Sequence, residues 1–219
     1  MDFFTKCHIP SIGKELKINK LCFGDYFQLN SYIINKDFEN TNETFESICE
    51  KSLKNSQNLT NLDKFVILMH LNCEYLEPIL KLSAKDEDSN PITYEVILKN
   101  VIKESKKYNF DNFTIPRYLY YSDANDILKE TGKNIEDIKE HIEENKILMF
   151  EVPEIIKNVP KVYFNCFDNS FFHFLKLVYS ANIKNLYKKI KILKKDYNFL
   201  LSEIYEMSPK EMDMFLSNK

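Results

Sequence analysis

Residues 179–207, YSANIKNLYKKIKILKKDYNFLLSEIYEM, carry the most regular pattern of the chain. Nine apolar residues follow one another there at alternating intervals of four and three: Tyr179, Ile183, Leu186, Ile190, Leu193, Tyr197, Leu200, Ile204 and Met207. This spacing places side chains on one face of a helix, so it predicts one long helix. We call the nine residues the stripe. Because such a face must be covered by the rest of the fold or by another chain, they are candidate protein-interaction residues.

The first half of the same stretch is rich in lysine. Six lysines fall between the stripe residues: Lys184, Lys188, Lys189, Lys191, Lys194 and Lys195. A basic helix of this kind fits an acidic partner or a nucleic-acid backbone. It also fits a solvated face on which lysine stems shield the stripe. The sequence leaves both interpretations open, and it does not decide whether the stripe packs internally or against a partner.

The composition indicates a folded chain with a substantial core. The 219 residues are 44% hydrophobic and 14% aromatic, which suffices for one large domain or two small ones. The formal net charge is −3, and Arg117 is the only arginine. Because bidentate reading of guanine and clamping of phosphate rely on guanidinium groups, a sequence-reading DNA-binding protein is disfavoured. Nucleic acid is therefore not expected as the main partner.

The cysteines are odd in number and widely spaced. They are Cys7, Cys22, Cys49, Cys73 and Cys166, and no secretory signal peptide precedes them. We interpret them as reduced thiols of a protein in a cytosolic compartment. The apolar run over 65–69 is far too short to cross a bilayer. The sequence thus predicts no disulfide framework and no membrane span.

The first predicted region, residues 1–78, contains a strand and helices. Residues 14–19 alternate in polarity, which indicates a short strand. Three helices follow, beginning at Asp25, at Asn40 and near Asn61. The first two starting residues each have a Gln or Glu three positions later, which is the spacing of a capping box.

The second predicted region, residues 79–152, is a small antiparallel sheet with short helices. Residues 79–85 and 92–98 alternate in polarity on either side of a polar turn. This pattern indicates a hairpin with one solvated face. The other elements predicted here are a strand within 110–121, a short helix that begins at Ser122 or Asp123, a helix capped by Asn134, and a buried strand over 147–152.

The third predicted region, residues 153–219, is helical, and we expect the three regions to form one unit. An aromatic segment precedes the stripe and could add apolar contact area: Tyr163, Phe164, Phe167, Phe171, Phe172 and Phe174. Ser208, Pro209 and Glu211 have the N-cap, N1 and N3 pattern of a new helix. The predicted class is α+β, with N-terminal helices, a small central antiparallel sheet and C-terminal helices including one long heptad-striped helix.

No local pattern supports a metal site. His70 and Cys73 lie one helical turn apart, but a tetrahedral site needs two more ligands. The set Cys7, His8 and Cys22 meets the same objection. Asp86, Asp88 and Asn90 match the first positions of a calcium-binding loop, yet the later glycine and glutamate positions hold Pro91 and Ile97.

Catalytic signatures are equally missing from the sequence. There is no C-x-x-C pair, no Walker loop and no glycine-rich dinucleotide turn, and the chain has only three glycines. Among 33 acidic residues no pair is marked for acid–base work. We therefore predict no catalytic residue, no cofactor and no metal, and a protein that is not an enzyme.

Three segments carry a further signal: HIPSIGKELKINKLCFGDYFQLNSYI over 8–33, LDKFVILM over 62–69 and MSPKE over 207–211. They resemble the baseplate hub protein family of T-even-type contractile-tailed bacteriophages. In that family a short strand with a Pro…Gly-Lys element leads into an amphipathic helix. The resemblance implies a hub subunit or hub assembly factor whose partners are other baseplate hub proteins. It also implies residence in the host cytoplasm during assembly, and it allows a later location in the tail baseplate of the virion.

Two other functions remain alternatives at this stage. One is a small cytosolic enzyme whose site is assembled in space, which predicts a deep pocket with convergent polar groups and perturbed titrations. The other is a nucleic-acid-associated protein that uses the lysine face, which predicts salt-dependent binding. The sequence favours protein contact over both.

Overall fold

The chain has an α+β fold, as the sequence predicted. The computed structural model describes residues 4–53, 59–85, 89–105, 147–150, 162–164 and 170–217. The strands there are β1 (Phe4–Ile9), β2 (Lys14–Asn19), β3 (Ile79–Lys85), β4 (Pro91–Ile97), β5 (Ile147–Phe150) and β6 (Val162–Phe164). The helices are α1 (Phe23–Ile34), α2 (Phe38–Ser52), α3 (Asn61–Tyr75), α4 (Leu98–Ser105), α5 (Ser170–Tyr179), α6 (Ile183–Asp196), α7 (Leu201–Glu206) and α8 (Pro209–Ser217).

The predicted strand over 14–19 is confirmed as β2, and its partner is a strand that the sequence did not reveal. β1 and β2 pair antiparallel, with Cys7 opposite Leu16. Gly13 lies in the turn between them with φ +65, a conformation that glycine adopts without steric cost. Ile9 and Ile18 are buried, so the hairpin closes one side of the core.

The three N-terminal helices are present, but two begin earlier than predicted. α1 starts at Phe23, and Asp25 lies in its first turn, where its carboxylate pairs with Lys51 at 2.7 Å. Asp37 caps α2 by accepting a hydrogen bond from the backbone N–H of Asn40 at 3.2 Å. In both cases a polar residue within the first turn was mistaken for the cap, because acidic and amide side chains favour both positions.

The start of α3 is fixed by a capping box that involves Thr60 and Asp63. The Thr60 hydroxyl accepts from the backbone N–H of Asp63 at 3.1 Å, and the Asp63 carboxylate accepts from the backbone N–H of Thr60 at 2.9 Å. Asp63 also accepts from the backbone N–H of Ser11 at 2.9 Å, which ties the β1–β2 turn to α3. The predicted start near Asn61 is confirmed.

The predicted hairpin of the middle region is confirmed as β3 and β4. The strands pair in register from Ile79 opposite Ile97 to Lys85 opposite Pro91. The second strand ends one residue earlier than predicted, because α4 begins at Leu98. The strand predicted over 147–152 is β5, and it pairs antiparallel with β6. The elements predicted within 110–121, after Ser122 and after Asn134 lie outside the described residues.

The prediction that all nine stripe residues share one helix is wrong. Tyr179 ends α5, the α6 helix covers 183–196, and Ile204 belongs to α7. α6 ends because Asn198 has φ +57, a left-handed conformation that asparagine tolerates and that ends helices. The backbone N–H groups of Tyr197 and Phe199 both donate to the Leu193 carbonyl at 3.3 Å. The chain turns there and α7 runs separately.

Tyr179 joins the C-terminal helices to the N-terminal helices. Its side chain is fully buried, and its ring lies 5.5 Å from the ring of Phe45 and 6.5 Å from that of Tyr26. Its hydroxyl donates to the backbone carbonyl of Leu68 in α3. A buried hydroxyl with a partner adds stability, while an unpaired one would cost free energy.

A buried asparagine fixes the adjoining link between α5 and α6. The Asn30 side-chain amide donates to the Tyr26 carbonyl at 2.9 Å, and its side-chain oxygen accepts from the backbone N–H of Ala181. The buried cluster as a whole includes residues from all three predicted regions, for example Leu29, Val96 and Leu193. The division into regions 1–78, 79–152 and 153–219 stays a prediction.

Burial of Leu193 makes α6 part of the core, so we predict that Leu193→Ala destabilises the fold. Leu193 is 0% exposed, and its truncation should lower the free energy of unfolding by about 2–5 kcal/mol because a cavity remains. Ile192 is 38% exposed in the same helix, and Ile192→Ala is the matched control with an effect below about 1 kcal/mol. Urea unfolding followed by circular dichroism measures both, and equal losses would contradict this packing.

Burial also raises the pKa of Tyr26 to about 12, with Asn30 opposing the shift. Between pH 10 and pH 12 the unfolded chain therefore loses this proton while the folded chain keeps it, so the free energy of unfolding falls as the pH rises through this window. Tyr26→Phe removes the effect. Compared at pH 8 and pH 11.5, the wild type should lose more stability than the variant by an amount on the order of 1–2 kcal/mol. Parallel pH profiles would show that Tyr26 does not contribute.

Candidate interaction surface

Most of the stripe is buried within the chain's own fold. Five of its nine residues are buried: Tyr179, Leu186, Ile190, Leu193 and Ile204. Ile183, Tyr197 and Met207 are half-buried, and Leu200 is 65% exposed. A role of the stripe in partner binding stays a prediction, and among these residues Leu200 offers the largest accessible fraction.

The aromatic segment before the stripe is described at one side chain. Phe174 is buried, and its ring lies 6.3 Å from that of Phe65 in α3. Phe174 therefore contributes to the core and not to a contact surface. The side chains of Tyr163, Phe164, Phe167, Phe171 and Phe172 lie outside the described part of the structure.

An exposed apolar surface lies at the C-terminal end of α6, where residues of α8 pack against it. The rings of Tyr197, Phe199 and Phe215 pack together with centroids 5.2–6.4 Å apart. The Tyr197 hydroxyl donates to the Phe215 carbonyl at 2.7 Å, which fixes the three rings relative to each other. Next to them along the chain lie Leu200, 65% exposed, and Met214, 62% exposed. We call these five residues the tip.

Among the described residues, large exposed apolar side chains concentrate in the C-terminal helices that carry the tip. Of the eleven among the described residues, six lie within residues 187–215: Tyr187, Ile192, Leu200, Leu201, Met214 and Phe215. Single exposed apolar residues are normal on soluble proteins, but a concentration of this kind marks contact surfaces. The sequence signalled only part of the tip, because Tyr197 and Leu200 belong to the stripe while Phe199, Met214 and Phe215 lie outside its period.

Contacts between the two ends of the chain hold the C-terminal helices in place. The backbone N–H of Phe23 donates to the Met207 carbonyl at 2.6 Å, which satisfies one of the free donors at the start of α1. Lys20 pairs with Glu211 at 2.8 Å. The predicted capping of α8 is confirmed, since Ser208 and Glu211 exchange hydrogen bonds of 2.6 and 3.2 Å. These contacts hold α8, which carries part of the tip, in a fixed position relative to α1.

An open groove of about 670 Å³ lies between α1 and α7. It is lined by Cys22, Gly24, Asp25, Phe27, Gln28, Ser31, Tyr32, Ser202, Tyr205 and Glu206. Gly24 permits the close approach of the two helices, because a Cβ there would lie 3.1 Å from the Cβ of Tyr205. The Phe27 ring contacts those of Tyr205 and Tyr187 at 6.2 and 5.0 Å.

The groove contains one thiol, and its surroundings disfavour the reactive form. Burial and the nearby Asp25 carboxylate raise the pKa of Cys22, although Lys20 and Lys51 oppose the shift. A nucleophilic cysteine needs the opposite, a lowered pKa that supplies thiolate near neutral pH. Cys22 in this setting is a poor nucleophile.

The candidate metal ligands are not brought together in the described residues. The Nε2 atom of His70 lies 3.0 Å from the Thr5 hydroxyl, and Cys73 is a free thiol. No group of three His, Cys, Asp or Glu residues suited to a metal occurs in that part of the chain. Asp86 and Asp88 lie outside it. Cys22 and Cys49 are free thiols as well, and the Cys7 thiol donates to the His8 carbonyl at 3.7 Å.

Within the described ranges, no helix is both long enough and apolar enough to span a membrane. Comparison with protein-family models, with curated proteins and with solved structures finds no match to this chain.

The environment of Cys22 predicts slow alkylation by iodoacetamide at pH 7.5. Because burial and Asp25 keep the thiol protonated, its rate should fall below that of a solvent-exposed model thiol and rise through pH 9 and above. Mass spectrometry of peptides from the folded protein measures the labelling of each site. Fully buried Cys49 is the internal control and should label only after unfolding. Rapid labelling of Cys22 at pH 6 would reveal an activated thiol instead.

Proposed function

We propose that this protein is a non-enzymatic component of a bacteriophage tail baseplate hub, or a factor that assembles the hub. It acts through protein–protein contacts, and its partners are other baseplate hub proteins. The observation that carries the contact role is the tip, a fixed cluster of aromatic rings with Leu200 and Met214 largely exposed beside it. Aromatic anchors of this kind often dominate the binding energy of an interface.

The baseplate part of the proposal depends on the resemblance of three segments. The first, over 8–33, spans the end of β1, β2 and nearly all of α1, so a short strand leads into a helix there. The second, over 62–69, lies inside α3. The third, over 207–211, supplies the cap of α8. Each segment coincides with an element that supports the core or the tip, which is compatible with the layout that the resemblance implies.

The enzyme alternative has one structural feature to draw on, the groove between α1 and α7. Its residues do combine polar groups with aromatic rings. The Asp25 carboxylate is already paired with Lys51, and the Cys22 thiol is held in its protonated form. A carboxylate engaged in an ion pair and a protonated thiol are weak candidates for general acid–base or nucleophilic chemistry. The groove therefore gives less support to catalysis than the tip gives to contact.

Replacement of the tip's most exposed side chains tests the proposal. The chain is co-expressed with the other tail genes of its source, and complexes are recovered by pull-down and identified by mass spectrometry. We expect hub proteins to co-purify with the wild type and to be reduced at least tenfold with Leu200→Ser/Met214→Ser. Removal of two side chains that the complex would bury costs about 1–2 kcal/mol each, which gives a loss of that size or larger.

A matched control separates the tip from general surface effects. Ile34 and Leu177 are exposed by 50% and 48% and lie outside residues 187–215. Ile34→Ser/Leu177→Ser should keep the complexes, and both double variants should keep the wild-type melting temperature within a few degrees. Two results would reject the proposal: no tail protein co-purifies with the wild type, or the purified protein turns over a metabolite and one polar substitution abolishes that activity.

A further inference from the structure

Four lysines form a straight row on the outer face of α6. Lys184, Lys188, Lys191 and Lys195 follow one another at intervals of four, three and four, and all four are exposed. At a rise of about 1.5 Å per residue the row is about 16 Å long. With 3.6 residues per turn it lies on the side of the helix opposite buried Leu193 and its stripe neighbours. The inner face of α6 is occupied by the core, and the row faces solvent.

Within the described ranges, no carboxylate lies at ion-pair distance from a lysine of the row. Among the described residues, the one lysine of α6 with a carboxylate at ion-pair distance is Lys189, which pairs with Asp213. Residues 183–196 contain six lysines and one aspartate, a formal charge of +5. Since the whole chain carries −3, the remainder carries −8. Charge is therefore distributed unevenly along the chain, with a large positive excess in α6.

Apolar side chains border the row on both sides. Helical geometry places Tyr187 along one edge and Ile192 along the other, and they are 59% and 38% exposed. Their exposure leaves apolar area that water covers in the free protein. A binding partner that covers both the row and its borders would need carboxylates in the middle and apolar groups at the sides.

We propose that the outer face of α6 binds an acidic amphipathic helix of a partner protein. Carboxylates spaced at four, three and four residues on that helix match the lysine row, and its flanking apolar residues cover Tyr187 and Ile192. A nucleic-acid backbone would satisfy the lysines but would leave the apolar borders uncovered. This inference rests on the proposed function, which makes the partner a protein, and it adds the chemical character of the partner's surface.

A synthetic peptide serves as the probe, because the partner helix is not identified. The peptide is about 20 residues long, so that it can form a helix, and it carries glutamates at intervals of four, three and four with leucines beside them. A scrambled peptide of equal composition breaks the row. Fluorescence anisotropy with the full-length protein measures binding at low and at high salt, because screening weakens charge pairing.

The lysine variant and its control have the same change in charge. Lys184→Gln/Lys188→Gln/Lys191→Gln/Lys195→Gln removes the row. Lys14→Gln/Lys36→Gln/Lys99→Gln/Lys210→Gln removes four exposed lysines elsewhere. We expect the row variant to bind the glutamate-row peptide about tenfold more weakly or worse, and the control variant to bind it like the wild type. Lys→Glu replacement of the row should transfer binding to a peptide with lysines in place of the four glutamates.

Several outcomes would overturn the inference. They are no binding of the glutamate-row peptide, equal binding of the scrambled peptide, equal loss with the control variant, or tighter binding of a duplex DNA of about 20 base pairs. If the wild type self-associates and the row variant does not, the outer face of α6 binds a second copy of this chain instead. The test uses no tail protein, so it can fail while hub proteins still co-purify, and it can succeed when they do not.

Discussion

The position of the C-terminal helices depends on the burial of Tyr179. Its ring packs against Phe45 and Tyr26, and its hydroxyl is bonded to the carbonyl of Leu68, so one side chain contacts three N-terminal helices. Asn30 then bonds the backbone just beyond it. Because the chain is fixed at this point, α6 has a defined orientation relative to the N-terminal helices. The surface that α6 and α8 form together is therefore defined as well.

The orientation of α6 separates two tasks that share one short helix. Its inner face, with Leu186 and Leu193, supplies apolar area to the core. Its outer face carries lysines whose charge would be costly to bury without partners. The long stems of these lysines can cover apolar surface while their ammonium groups stay in water. The stabilising face and the exposed face are therefore distinct, so the outer face can change its contacts without disturbing the packing.

The candidate contact surface was only partly predictable from the sequence. The stripe indicated correctly that residues such as Leu193 need to be covered, and the fold covers most of them itself. The tip was predicted only in part: Tyr197 and Leu200 belong to the stripe, whereas Phe199 and Phe215 come together only after the chain turns at Asn198. The groove was missed for a similar reason. It forms between α1 and α7, which are far apart in the sequence and approach each other closely at Gly24.

Local pattern alone determined the class of the fold and many element boundaries. Alternation gave β2 and the β3–β4 hairpin, and the Ser208–Glu211 pair gave the start of α8, because the hydrogen bonds concerned join residues close together in sequence. The apolar spacing continued through 179–207, but it could not show that the helix stops. Only the tertiary structure decided where the stripe breaks and which of its residues stay exposed. The turn at Asn198, which has a left-handed conformation, ends the helix without interrupting the apolar spacing of the sequence. The burial of each stripe residue depends on packing partners that are distant along the chain.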